Sequence, residues 1–154
     1  MPEKQALERA EEDKREGKSP STQAGEFVKE EIEHIREGKH GARSTKQAIA
    51  IGLSEARRAG VKLKPPRKGE ASERTRRQAA RDVSEGSKRK ARPSSKRSRA
   101  TLGALKREGR KAASKQSLSR QARSAAARRS KAARSRSAKK AAATRRSASS
   151  RGAA

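Results

Sequence analysis

Two histidines, His34 and His40, are the only imidazoles in this chain, and no cysteine accompanies them. Nucleophilic chemistry needs a base beside an oriented partner, and a metal centre needs three or four converging ligands. His34 falls at the rim of an apolar helical arc near Phe27 and reads as a boundary packing residue. His40, in "GKHGAR", reads as a loop donor to phosphate or water. Glu26, Glu30 and Glu33 read as a solvated helix face, so no metal or nucleophile constellation emerges. Neither enzymatic activity nor a cofactor is expected. Gly17-Lys18-Ser19 has the ending of a phosphate-binding loop, but Glu12 stands where the first glycine belongs and no strand precedes it.

The chemistry that remains is anion binding. The 154 residues carry 44 Lys/Arg against 17 Asp/Glu, a net charge of +27, and the charge is unevenly spread. Residues 1–66 hold 14 basic and 12 acidic side chains, a net of +2, whereas residues 67–154 hold 30 and 5, a net of +25. Beyond Glu108 there is no acid at all. Such asymmetry points to a polyanionic partner for the second half. Flexible lysine and arginine neutralise phosphates and release counterions, which gives affinity without choice of sequence. No aromatic residue interrupts the run, so the stacking platforms that hold single strands are missing. An apolar face for a membrane surface is missing too. Duplex DNA is the expected partner, with RNA as the alternative.

The residues expected to contact nucleic acid form two groups. Lys39 and Arg43 lie in the glycine-flanked loop Gly38–Arg43, which feeds a capped helix start carrying Lys46. Helix N-termini offer unpaired N–H groups and a favourable dipole to anions. Arg57 and Arg58 share the polar arc of that helix with Lys46, Gln47 and Ser54. Those side-chain types can read base edges, but a solvated face is the favoured reading. A loop this long also fits a helix-turn-helix poorly. The larger group is the basic run: Lys88, Arg89, Lys90, Arg92, Lys96, Arg97 and Arg99, then Arg128, Arg129, Lys131, Arg134, Arg136, Lys139, Lys140, Arg145 and Arg146.

Positioning these cations falls to helices. The expected fold is all-α: a helical miniature domain over residues 1–64, a basic linker over 65–109 with short helices at 72–86 and 101–109, and a disordered tail over 110–154. Residues 3–16 compose a frayed or partly docked helix with Ala6, Leu7 and Ala10 as its stripe. In residues 22–37, Ala24, Phe27, Val28, Ile32 and Ile35 fall within an arc of ~140°, an amphipathic helix stopped by Gly38. Ser44-Thr45-Lys46-Gln47 has the capping-box form, so a helix starts near Thr45 and ends at Gly60. Ala48, Gly52 and Ala56 follow at i, i+4, i+8, a small-residue face suited to close backbone approach to the preceding helix. Lys64-Pro65-Pro66-Arg67 marks the boundary. In the tail, alanine favours helix while like-charge repulsion opposes it. With one phenylalanine and no tryptophan or tyrosine the core is thin, which leaves room for a homo-oligomer, with Ile51 as the contact.

"KQAIAIGLSEARRAG" (46–60), preceded by "STQAGEFVKEEIEHIREGKHGARS", resembles a family of small basic bacterial proteins of largely unknown function, over roughly residues 1–66. Some of its members are labelled plasmid stabilization or DNA-binding protein. "SAKKAAATRRSA" resembles the linker-histone-like tails of bacterial nucleoid proteins. Composition and resemblance together imply a nucleoid-associated or plasmid-maintenance accessory protein that binds duplex DNA through its tail. A ribonucleoprotein-binding module and a protein-interaction adaptor localised by its tail are the alternatives. No apolar run approaches a signal or membrane-spanning segment, and a cytoplasmic location at the nucleoid is expected.

Overall fold

The structure, a computed structural model, describes residues 4–86 and 94–151. Among them it is all-helical: α1 (Lys4–Arg15), α2 (Pro20–Glu37), α3 (Thr45–Arg58), α4 (Glu73–Gly86), α5 (Ser95–Lys106), a 3-10 turn (Lys111–Ala113), α6 (Lys115–Ala127) and α7 (Lys131–Arg151). No strand is present among the described residues.

Helix α2 is the hub, packing against α1, α3 and the 3-10 turn. It starts two residues earlier than its apolar spacing suggests, because Pro20 occupies the first helical position, where its missing N–H costs nothing. Gly38 stops it in the left-handed region at φ 81°, with the Gly38 and Lys39 amides returning to the Ile35 and His34 carbonyls. The start of α3 is capped by Ser44 as predicted, with the return bond of Gln47 made one residue before the cap. Ser44 Oγ accepts from the Gln47 amide at 3.2 Å, and Gln47 Oε1 accepts from the Arg43 amide at 2.8 Å.

The core follows the apolar spacing. Ala6 and Ala10 of α1, Ala24 and Phe27 of α2 and Ala56 of α3 form one buried cluster, flanked by Leu7, Leu53, Ala59, Val61 and Leu63. Helix α1 is therefore docked rather than frayed. The small-residue face of α3 meets α2 backbone to backbone. A Cβ built on Gly52 would lie 2.7 Å from Val28 Cα and 2.9 Å from Phe27 O. Ala48 and Ala56, one turn to either side, are fully buried.

Three features depart from the sequence expectations. The buried face of α2 is wider, running from Glu30 round to Ile32 over ~200°, because three elements cover the helix instead of one. Glu30 is therefore buried rather than solvated, as is Glu31. The compact unit also extends to Ser117, well past the boundary placed at Pro65-Pro66. Helix α4 packs on α3, where Ser54 Oγ donates to Asp82 Oδ2 at 2.6 Å and Gln78 donates to Asp82 Oδ1 at 3.0 Å. Ala112 and Ala113 are buried by the 3-10 turn's contacts with α2 and α3.

The third departure concerns residues 110–154, expected to be disordered. Of these, Lys115–Ala127 and Lys131–Arg151 are helical as α6 and α7, a second unit beginning within α6 at Leu118, and residues 152–154 lie outside the described residues. Alanine's helix propensity prevails there over like-charge repulsion. Helix α7 is charged over about two-thirds of its circumference: Lys131, Arg134, Arg136, Lys139, Lys140, Arg145 and Arg146 spread round it and are exposed.

Candidate functional site

The loop Gly38–Arg43 is covered, and its covering decides what it can do. Residues 105–113 lie along it as a strap. The Gly41 amide donates to Leu105 O at 3.0 Å and the Ala42 amide to Gly109 O at 3.2 Å. Thr45 Oγ1 donates to Ala112 O at 2.6 Å, and Arg36 Nε to Ala113 O at 3.0 Å. Gly41 has no room for a side chain, since its Cβ would meet Glu108 O at 2.0 Å. Donors that a phosphate would need are thus given to the chain itself.

The predicted cations separate accordingly. Lys39 is exposed and pairs with Glu37 at 3.1 Å; Arg43 and Lys46 are exposed at the rim of the covered loop. Arg58 is exposed, its Nε turned back to Ser54 O at 3.3 Å. Arg57 is not available to DNA: only 7 % of it is exposed, and its guanidinium donates to Leu63 O at 3.3 Å and Leu53 O at 3.4 Å. Burial opposes its charge and Asp82 of α4 supports it. Ser54 and Gln47, the other members of that polar arc, are spent on Asp82 and on the helix cap. A face that must enter a major groove is therefore occupied by α4 and the strap. Lys18, of the Gly17-Lys18-Ser19 triplet, is bound to Asp13 and Glu16, both at 2.7 Å, which raise its pKa and keep it an ammonium.

Lys96, Arg97 and Arg99 on α5, Arg128 and Arg129 after α6, and the α7 cations are exposed, whereas Lys88, Arg89, Lys90 and Arg92 lie outside the described residues. Further exposed cations not singled out by the sequence join them: Lys106, Arg107, Arg110, Lys111, Lys115, Arg120 and Arg123. For all but Lys106 and Arg107 the signal was available in the acid-free composition after Glu108.

A second constellation was not legible. Glu31 and His34 sit three residues apart on α2, and the turn at Gly38 folds His40 back toward them. Their ligating atoms all lie within 4.8 Å of one another. His40 Nε2 is 3.5 Å from Glu31 Oε2, and the two imidazoles meet edge to face with centroids 6.0 Å apart. His40 is thus not a loop donor to phosphate, and His34 is not only a packing residue. Burial pushes the Glu31 carboxyl up to about 7, aided by the like charges of Glu55 and Glu30.

Comparison with known proteins agrees with the family resemblance at its coarsest. Residues 13–68 match the model of a family described as a family of unknown function (DUF6496). That segment holds α2, α3, the covered loop and the Glu31–His34–His40 cluster. No curated protein matches the chain, and neither does any solved structure. Among the described residues, no helix is long and apolar enough to cross a membrane.

Proposed function

We propose that this protein binds duplex DNA without sequence preference through the cations of its C-terminal half, as a nucleoid-associated or plasmid-maintenance accessory protein. The observation that carries this reading is the exposure of every described Lys and Arg from Lys96 to Arg146, in a stretch whose only acid is Glu108. Cations without acidic neighbours are free to replace the counterions condensed on a phosphate backbone, and that replacement is indifferent to base sequence. The burial of Arg57 and the occupation of Ser54 and Gln47 favour the same reading, because they remove side chains that a base-reading helix would use. Helix α7, at 21 residues, is about 31 Å long, with charge over about two-thirds of its circumference. It can follow a backbone through a wide range of rotations about its own axis.

The test is equilibrium binding of the full chain to two unrelated duplexes across a salt series. Engagement of six to ten phosphates lowers the affinity by about 10³–10⁵-fold between 50 and 200 mM salt, equally for both duplexes. A shallow slope, or strong discrimination between the duplexes, overturns the proposal. Structured RNA competing as well as DNA would widen the partner to polyanions in general.

A further inference from the structure

We propose that Glu31, His34 and His40 form a binding site for a divalent transition-metal ion of the zinc type. The three residues supply two imidazoles and one carboxylate, a donor set that suits such ions and leaves a fourth position open. Their ligating atoms lie within 4.8 Å of one another. Around a tetrahedral ion with bonds of ~2.0–2.1 Å, neighbouring donors stand about 3.3 Å apart. Glu31 Oε2 and His40 Nε2 are already at 3.5 Å, so that pair needs almost no movement, and rotation of the His34 side chain closes the rest.

An independent observation points to a ligand. Glu31 is only 3 % exposed, and its Oε1 has no hydrogen-bond partner. A carboxylate this buried and this short of partners is costly to keep charged, and a cation bound to it offsets that cost. His40 is oriented for the same task. Its Nδ1 lies 3.2 Å from Gly41 O, which can only accept, so Nδ1 carries the proton and Nε2 presents its lone pair toward Glu31. A backbone carbonyl holding the far nitrogen is the usual support for a ligating imidazole. Gly41 is in turn fixed by the strap through Leu105 O, so the ligand loop is braced before any ion arrives. Glu30 and Glu55 add negative charge around Glu31, which favours a cation locally in a chain whose net charge is +27. His34 and His40 remain partly exposed and leave a path for entry.

The experiment uses the untagged full chain, stripped with a chelator and titrated with Zn²⁺ against a chromophoric competitor. Co²⁺ absorption serves as the report of coordination geometry. One equivalent of Zn²⁺ is expected, together with intense visible bands from tetrahedral Co²⁺. Glu31→Gln and His40→Gln are each expected to weaken binding by more than the roughly 10–100-fold that outer-shell changes cost. Circular dichroism of both variants confirms that they fold; Glu31→Gln removes the ionisable carboxyl and keeps the shape of the side chain. Absence of stoichiometric Zn²⁺ binding by the wild type overturns the proposal, as does unchanged binding in both folded variants. In either case Glu31 and His40 are packed neighbours that hold no ion.

Discussion

The contact between α2 and α3 can be tested with one substitution made at two glycines. Gly52 is pressed against the backbone of α2, and a methyl group there would stand 2.7 Å from Val28 Cα and 2.9 Å from both Phe27 O and Val28 N. All three are backbone atoms, so no side chain can swing aside. Relief requires the helices to separate by roughly half an ångström along the whole contact, which puts the cost in the upper part of the overpacking range, about 2–3 kcal/mol. Alanine returns about 1 kcal/mol through its higher helix propensity, so Gly52→Ala is expected to destabilise the domain by about 1–2 kcal/mol. Gly25, on the exposed face of α2, has nothing within 4 Å of its would-be Cβ. Gly25→Ala keeps only the propensity gain and is expected to stabilise by about 1 kcal/mol. The assay is native-state hydrogen exchange of the α2 and α3 amides in the full chain, which is insensitive to helix content in α6 and α7. Protection falls about tenfold for each 1.4 kcal/mol lost, so the two variants move in opposite directions by readily separable amounts. If Gly52→Ala proves neutral or stabilising, the helices do not approach as closely as described, and the small-residue face loses its explanation.

Two further outcomes follow from buried charge. In the metal-free chain the folded state keeps a proton on Glu31 to about pH 7, whereas the unfolded chain releases it near the ordinary carboxylate value. Stability from this group is complete below that ordinary value and lost as pH rises through about 7. The loss amounts to at most about 3 kcal/mol. Urea unfolding at pH 5 and pH 8 should show the fall in wild type and a flattened profile in Glu31→Gln. His34 and His40 lie beside Glu31, and Glu30 and Glu55 bear on it as like charges. At the far end of α3, Arg57→Ala leaves the Leu53 and Leu63 carbonyls without their guanidinium and Asp82 without its cation, a cost of about 1–3 kcal/mol. Arg58→Ala is expected to change stability by no more than about 0.5 kcal/mol. Thermal unfolding of the two variants distinguishes them, and a larger loss at Arg58 would contradict the placement of Arg57.

The sequence by itself determined the helical class, the α2–α3 pair and the polarity of the charge. Each is a local or compositional property. Ala24, Phe27, Ile32 and Ile35 mark one face of α2 by their spacing, and Ser44 with Gln47 marks the start of α3. Ala48, Gly52 and Ala56 announce a close approach because nothing larger fits between two helix backbones. Only the tertiary structure decided what covers that pair. The strap reaches its loop through amide-to-carbonyl bonds such as Gly41 to Leu105, which leave no trace in side-chain identity. Its return across more than sixty residues, seen in the Thr45 bond to Ala112, buries a loop that looked open to phosphate. Arg57 and Arg58 are adjacent and alike in sequence, yet a rotation of ~100° per residue turns one toward Leu63 and the other to solvent. Glu31, His34 and His40 became neighbours for the same kind of reason: a left-handed turn at Gly38 and a brace from the strap bring together side chains that no spacing rule would pair.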